Sequence, residues 1–140
     1  MKLYVDKNLQ IDSGKINLIA EFCAFCAEKL PISGNFKIYI VSDRPKHGIS
    51  TTAAYEINNN TCRIYGKNRA LVDICRSIAH EMTHMMQDEM GLLKGHIQDA
   101  GGFHEDQANA RAGELIKRFS KSKEGRRGIY ERKIITSNIL

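Results

Sequence analysis

Two histidines and a glutamate stand close together in the segment HEMTH, residues 80–84. On an α-helix, side chains four residues apart lie on the same face about 6 Å apart, so His80 and His84 can reach one metal ion. Imidazole nitrogens bind zinc, and a catalytic zinc site has three protein ligands and one open position. Glu81 would lie beside such an ion, where a general base can take a proton from water. The spacing predicts a zinc site with an acid beside it if the chain supplies a third ligand; without one, this is a helix that carries two histidines.

The third ligand must come from outside this motif. A metzincin carries glycine three residues and histidine six residues after the second histidine, but this chain has Gln87 and Met90 there. The segment FHEDQANARAGELIKRF, residues 103–119, predicts a second helix. One of its faces carries an acid followed by small and apolar residues: Glu105, Ala108, Asn109, Ala112 and Ile116. Because small residues let helices pack closely, we predict Glu105 as the third ligand, although the helix dipole alone also favours an acid there.

The faces of the histidine helix support a site rather than a core position. At 100° per residue, the two histidines share their face with Asp73, Ser77 and Gln87. The apolar stripe lies on roughly the opposite side of the same helix and consists of Leu71, Ile74, Ile78, Met82 and Met85. The histidines are therefore predicted to face whatever covers the other side of this helix.

The remaining elements predict a small α+β domain around the two helices. In chain order they are a helix from Asp12 or Ser13 to Leu30, strands at 36–41, 51–57 and 61–66, a helix at 68–90 and the helix at 103–119. The second and third strands flank the turn-forming sequence NNN and form a hairpin. The expected order is helix, three-stranded sheet, helix, glycine-containing loop at 91–102, helix.

Charge divides the chain into two parts. The net charge is +5, but residues 117–133 hold eight Lys and Arg against two Glu, so this segment carries +6 and the rest −1. We therefore predict a folded domain that carries the candidate site at 1–119 and a basic C-terminal extension at 120–140. A basic segment of this kind is typical either of a solvated tail or of a surface that binds nucleic acid.

The cysteines and the N-terminus favour the cytoplasm. Cys23 and Cys26 stand in CAFC, but no second CxxC follows, so buried reduced thiols are expected rather than a zinc ribbon. The first 15 residues contain no continuous apolar run of the kind found in signal peptides. No apolar stretch of about 18 residues occurs, so no membrane span is expected.

The combination HEMTH with HEDQAN further on resembles the gluzincins, which carry HExxH on one helix and a glutamate ligand on the next. More narrowly, HEMTHMMQ followed by EDQANA is similar to small gluzincin-like peptidases often encoded by phages and prophages, which carry HExxHxxQ and then an ExxA helix. The likeness covers roughly residues 50–119. It implies a zincin-like fold, a zinc ion held by His80, His84 and Glu105, and an orienting role for Asn109 toward His80. Gluzincins usually have Asp at that last position.

A second resemblance uses a different third ligand. SprT-like proteases, which act on DNA-bound proteins, have a third histidine after HExxH, and His96 and His104 are both candidates. Neither histidine is followed by the glycine of the usual HGxxF pattern, so Glu105 is preferred. A third hypothesis is a non-catalytic module that keeps a peptidase-like fold and binds nucleic acid or protein through its basic C-terminal segment.

If the chain is a peptidase, its partner is a protein or peptide substrate. Glu81 would then pass the proton taken from water to the leaving amine. Candidates for stabilising the negative carbonyl oxygen are His96, Tyr55 and Tyr65, with no motif favouring any of them. An extended substrate would pair with an edge strand, for which TCRIYG, residues 61–66, is the candidate. The loop at 91–102 could gate the cleft.

Overall fold

The computed structural model describes residues 1–33, 35–93 and 102–138. Three helices pack on one face of a four-stranded sheet, and a small two-stranded ladder lies beside them. The strands are β1 Lys2–Val5, β2 Lys37–Val41, β3 Ala53–Glu56, β4 Thr61–Tyr65, β5 Arg69–Ala70 and β6 Ile134–Ile135, and the helices are α1 Ser13–Lys29, α2 Leu71–Glu89 and α3 Phe103–Ser122. The predicted α+β class is confirmed.

The main sheet is mixed, in the order β1-β2-β4-β3. Strands β1 and β2 run parallel with Leu3 opposite Ile38, and β2 and β4 run parallel with Ile40 opposite Ile64. The predicted hairpin is confirmed, because β3 pairs antiparallel with β4 and places Ala53 opposite Ile64. This order puts β3 at one edge of the sheet and encloses β4 between two neighbours.

Two sequence-based expectations about the sheet differ from the structure. It has four strands rather than three, because Lys2–Val5 forms an additional strand that pairs with β2. This strand lies at the edge of the sheet, and its four residues alternate between exposed and half-buried positions. Such a short strand carries little apolar signal in the sequence. The predicted edge strand at 61–66 is wrong, because β2 returns after α1 to pair with β4 and leaves β3 at the edge.

Side-chain alternation gives the sheet an inner and an outer face. Leu3, Ile38 and Cys62 lie in one row across neighbouring strands and face the helices as part of the core. The adjacent row points away from the helices, and there the rings of Tyr4 and Tyr39 stack with their centroids 4.7 Å apart. Only the inner face therefore helps to position α2.

Helix α1 begins and ends as predicted. The Asp12 side chain accepts a hydrogen bond from the backbone N–H of Lys15 at 2.9 Å, which caps the first turn. Its buried face includes Cys23 and Cys26, and all four cysteines of the chain are free and buried. Burial raises the pKa of Cys23 to about 12, so this thiol stays protonated and behaves as a small core residue.

The two helices that carry the site residues pack directly against each other. The predicted apolar stripe of α2 is fully buried: Leu71, Ile74, Ile78, Met82 and Met85 each have 0% exposure. On α3, Ala108 and Ala112 are buried on the predicted small-residue face. Small side chains allow close approach of the helix axes, so the start of α3 is held near the histidine face of α2. No described helix is both long and apolar enough to cross a membrane.

The basic C-terminal segment lies on the domain in the described part of the chain. Ile129 and Ile135 belong to the same core as the helices, and β6 pairs with β5. Arg126 lies 4.5 Å from the ring centroid of Phe119 and forms an ion pair with Glu21 at 3.4 Å. The boundary at residue 119 and the nucleic-acid role of this segment stay predictions, but some of its cations are used in packing.

The contribution of this segment to stability can be measured with a matched pair of substitutions. Ile129 has 0% exposure and Ile134 has 50%. Ile129→Val is expected to lower the free energy of unfolding by about 1 kcal/mol, because a buried methylene leaves a small cavity. Ile134→Val should cost much less. Equal effects in urea unfolding would contradict the packing of residues 126–130 in the core.

Candidate metal centre

Two side chains of α2 and one of α3 converge on one point. His84 Nε2 lies 3.2 Å from His80 Nε2, Glu105 Oε2 lies 3.3 Å from His80 Nε2, and Glu105 Oε1 lies 2.5 Å from His84 Nε2. These three residues, predicted from spacing and from the small-residue face of α3, form a group whose ligand atoms all lie within 4.8 Å of one another. The group could hold a metal ion.

The donor set and its dimensions suit a tetrahedral ion. Ligand atoms about 2.0–2.1 Å from a tetrahedral zinc lie about 3.3 Å from one another. The separations of His80 from His84 and from Glu105, 3.2 and 3.3 Å, match that value, whereas the His84–Glu105 separation of 2.5 Å would have to lengthen. Two imidazoles and one carboxylate leave one tetrahedral position open, which is typical of a catalytic rather than a structural site.

A buried glutamine fixes the orientation of His84. The amide nitrogen of Gln87 donates to the backbone oxygen of His104 at 3.1 Å and to Oε1 of Gln107 at 2.8 Å. A carbonyl oxygen can only accept, so the amide must present its Oε1 to His84 Nδ1, 2.8 Å away. His84 Nδ1 therefore donates to Gln87, which leaves Nε2 as the ring nitrogen that faces the cluster and could bind an ion.

The contact of Gln87 with His84 is the feature of the candidate site that the sequence did not predict. Gln87 was recognised on the histidine face and in the HExxHxxQ pattern, but no orienting role followed from either observation. Its side chain has 0% exposure, although glutamine is mostly exposed in proteins. The partners on α3 that explain this burial become visible only in the folded chain.

The orienting role of Gln87 predicts a loss of metal affinity. Gln87→Leu is expected to weaken zinc binding about 10- to 100-fold, because His84 loses the acceptor that fixes its ring and its tautomer. Competition with a coloured chelator measures this change. Gln107→Ala is the control, since it removes one acceptor of the Gln87 amide and leaves Oε1 on His84. Unchanged affinity in the leucine variant would contradict the role.

Asn109 lines the same cleft as His80. The orienting role that the gluzincin likeness implies for Asn109 stays a prediction. Burial and the neighbouring His84 lower the pKa of His80, against smaller opposing effects of Glu105 and Asn109. A lowered pKa keeps the imidazole neutral near pH 7, and only a neutral imidazole has a lone pair for a metal ion.

Glu81 lies beside the cluster but outside it. It lines the same cleft as the histidines and is 8% exposed. Burial, with a smaller contribution from the charge of Glu105, raises its pKa from 4.5 to about 8. A cation between His80, His84 and Glu105 would oppose this shift, because a nearby positive charge favours the carboxylate.

The raised pKa of Glu81 predicts a pH dependence of stability in the metal-free protein. The unfolded chain releases this proton near pH 4.5, but the folded chain holds it to about pH 8. Between these two pH values the unfolded chain is ionised at Glu81 and the folded chain is not, so the free energy of unfolding falls by up to about 1.4 kcal/mol per pH unit. In chelator, Glu81→Gln is expected to gain stability relative to wild type as pH rises from 5 to 8. If the free energies of unfolding of wild type and Glu81→Gln, measured in urea, change with pH in parallel, this expectation is wrong.

An elongated cleft of about 520 Å³ leads to the cluster. One wall is the histidine face of α2, from Asp73 to His84, and the other is β3 with the residues before it. Among the described residues, no strand pairs with the free side of β3. The edge that faces the cleft is therefore β3 and not the strand at 61–66.

The other candidate residues lie elsewhere. His104 precedes Glu105 and points about 100° away around α3, so it is outside the cluster, and its Nδ1 is buried without a partner among the described residues. Tyr55 lines the cleft, but its hydroxyl donates to Asp88 at 2.5 Å, whereas Tyr65 is not among the lining residues. His96 and residues 94–101 of the proposed gate lie outside the described residues.

Comparison of the chain with protein-family models, with curated proteins and with solved structures finds no significant match. The gluzincin and SprT-like resemblances therefore stay predictions from the motifs. The functional argument depends on the geometry of the cluster and of the cleft that leads to it.

Proposed function

We propose that this chain is a zinc-dependent endopeptidase of the minimal gluzincin-like kind, acting on a protein or peptide substrate in the cytoplasm. The observation that supports this best is the separation of roles in one cleft. His80, His84 and Glu105 form a three-ligand cluster, while Glu81 lines the cleft beside it without belonging to it. A purely structural zinc site would have four protein ligands and no need of a buried acid nearby.

His80, His84 and Glu105 would hold the ion, with Gln87 and Asn109 orienting the two imidazoles. When bound, zinc supplies Lewis-acid chemistry that polarises a carbonyl group and acidifies water. Glu81 then acts as the general base, since it lies in the cleft and a nearby cation favours its carboxylate form. It accepts a proton from the attacking water and gives it to the leaving amine.

The substrate would bind as an added strand. The free side of β3 offers backbone N–H and C=O groups along the cleft, and Ala53, Ala54 and Tyr55 all line it. An extended peptide can pair with such an edge, which holds its backbone straight and places successive side chains on alternate sides. The small side chains of Ala53 and Ala54 leave room for a peptide to lie close to the strand.

The test combines metal content with peptide hydrolysis. Purified protein is expected to contain about one zinc per chain and to cleave members of a pool of internally quenched peptides, with activity lost in chelator and restored by zinc. His84→Ala should lose both metal and activity, whereas Glu114→Gln, an exposed change on α3, should keep both. A protein that binds no zinc when it is supplied would overturn the proposal.

A further inference from the structure

The end of the cleft beyond His80 has an excess of positive charge. Arg69, Asp73 and Arg76 line it, and the Asp73 carboxylate is paired with Arg76 at 3.0 Å. The guanidinium of Arg69 instead donates to three uncharged acceptors: the backbone oxygens of Tyr65 at 2.8 Å and Asp73 at 2.9 Å, and Oγ of Ser77 at 2.8 Å. Among the described residues, Arg69 forms no ion pair.

A half-buried cation without a counter-ion is unfavourable in a folded protein. Burial lowers the pKa of Arg69, against a smaller opposing effect of the Asp73 carboxylate, which is itself paired with Arg76. Its three hydrogen bonds use one N–H of Nη1 and both of Nη2, so a second Nη1–H and the Nε–H have no acceptor among the described residues. The group is therefore held in place by neutral partners and keeps donors for an anion.

Arg69 also lies at a useful distance from the metal ligands. Ser77, which accepts from Arg69, is three residues before His80 on α2, and so lies about 5 Å away along the helix. An extended peptide advances about 3.3 Å per residue. A substrate group on Arg69 would belong to a residue one or two positions from the bond held at His80 and His84.

We infer that Arg69 binds a carboxylate of the substrate and selects peptides that carry one beside the scissile bond. This inference rests on the proposed function of the same cleft. Each free N–H of Arg69 can donate a charge-assisted hydrogen bond to a carboxylate, and the three neutral acceptors hold the guanidinium plane in place for that contact. The carboxylate has two sources: the side chain of Asp or Glu, or the free C-terminus of a peptide.

A purely structural role of Arg69 would have a different signature. Its three acceptors join the end of β4 to the first turns of α2, and a brace of this kind needs no anion. A brace would therefore respond equally to acidic and neutral peptides. Binding, rather than turnover, separates the two roles, and it can be followed without hydrolysis in zinc-loaded Glu81→Gln protein.

The experiment follows the Nε–H signal of Arg69 by nitrogen-15 NMR in that protein. Three alanine heptapeptides serve as probes: one blocked at both ends with a central Glu, the same peptide with Gln, and an all-alanine peptide with a free C-terminus. We expect the Glu peptide, the free C-terminus or both to shift the Arg69 signal and to bind at least about 10-fold more tightly than the Gln peptide, which is about 1.4 kcal/mol. The stronger of the two identifies the source of the carboxylate.

The controls separate this inference from the proposed function. Arg69→Lys keeps a charge but lacks the planar group that the three neutral acceptors hold in place, so it should lose most of the preference, while Arg118→Lys on α3 should keep it. If the lysine variant fails to fold, the comparison of Glu and Gln peptides on the parent protein still decides. Equal binding of all three peptides would overturn the inference even if wild type is a peptidase. Selective binding without any cleavage by wild type would keep the inference and overturn the peptidase.

Discussion

Glu81→Gln is expected to lower kcat for peptide hydrolysis by about 10²- to 10⁴-fold while about one zinc per chain stays bound. The amide has nearly the shape of the carboxylate but cannot accept a proton from water. Metal should be retained because Glu81 is outside the cluster of His80, His84 and Glu105. KM should change little, since the side chain acts on water rather than on the bound peptide.

Steady-state kinetics on one cleaved peptide, with zinc measured by mass spectrometry on the same samples, checks this expectation. Glu114→Gln is the matched control, because it makes the same chemical change on the exposed surface of α3. Loss of zinc together with activity in the Glu81 variant would place this carboxylate among the ligands. Full activity with zinc bound would remove Glu81 as the base.

A buried acid such as Glu81 is the kind of residue that a functional site retains. In the metal-free chain its ionised form is disfavoured by burial and by Glu105. Replacing it with an uncharged residue should stabilise the fold, so the carboxylate has a cost that packing does not explain. Functional sites often break the local rules that the rest of a sequence follows. The same reasoning applies to Arg69, a half-buried cation that lines the same cleft.

The elements that the sequence predicted well are those with strong local periodicity. Helix α2 repeats its apolar residues every three or four positions from Leu71 to Met85, and all of that stripe is buried. The sequence did not predict the strand Lys2–Val5, because four residues are too short a run to indicate a strand. The sequence also did not predict which of β3 and β4 lies at the edge of the sheet, because this depends on which of them pairs with β2 after α1.

The residues of the candidate site also fall into those that local patterns predict and those that only tertiary contacts explain. The positions of His80, Glu81 and His84 follow from helix geometry alone, and Glu105 follows from a face of small residues on α3. The role of Gln87 required contacts across two helices, to His104 and Gln107, that no local pattern encodes. Arg69 lies in a two-residue strand outside any motif, so its place in the cleft depends on tertiary structure.

Glu105→Ala is expected to weaken zinc binding by more than about 100-fold, beyond the usual effect of losing a residue that only orients a ligand. The reason is direct, because Glu105 supplies the only oxygen donor of the cluster and lies 2.5 Å from His84 and 3.3 Å from His80. His104→Ala should leave the affinity nearly unchanged, since its side chain lies outside that group. Comparing the zinc affinities of these two variants decides between the gluzincin-like arrangement and one with a third histidine.

Thermal unfolding gives an independent measure of the same difference. At free zinc about 100 times its Kd, binding adds about 2.7 kcal/mol to stability, which raises Tm by roughly 5–10 °C in a chain of this size. Wild type and His104→Ala should lose this increment in chelator, whereas Glu105→Ala should have little to lose. If Glu105→Ala keeps the full increment and His104→Ala or His96→Ala abolishes it, a histidine is the third ligand. In that outcome the SprT-like hypothesis replaces the gluzincin-like one, while His80, Glu81 and His84 keep their roles in either arrangement.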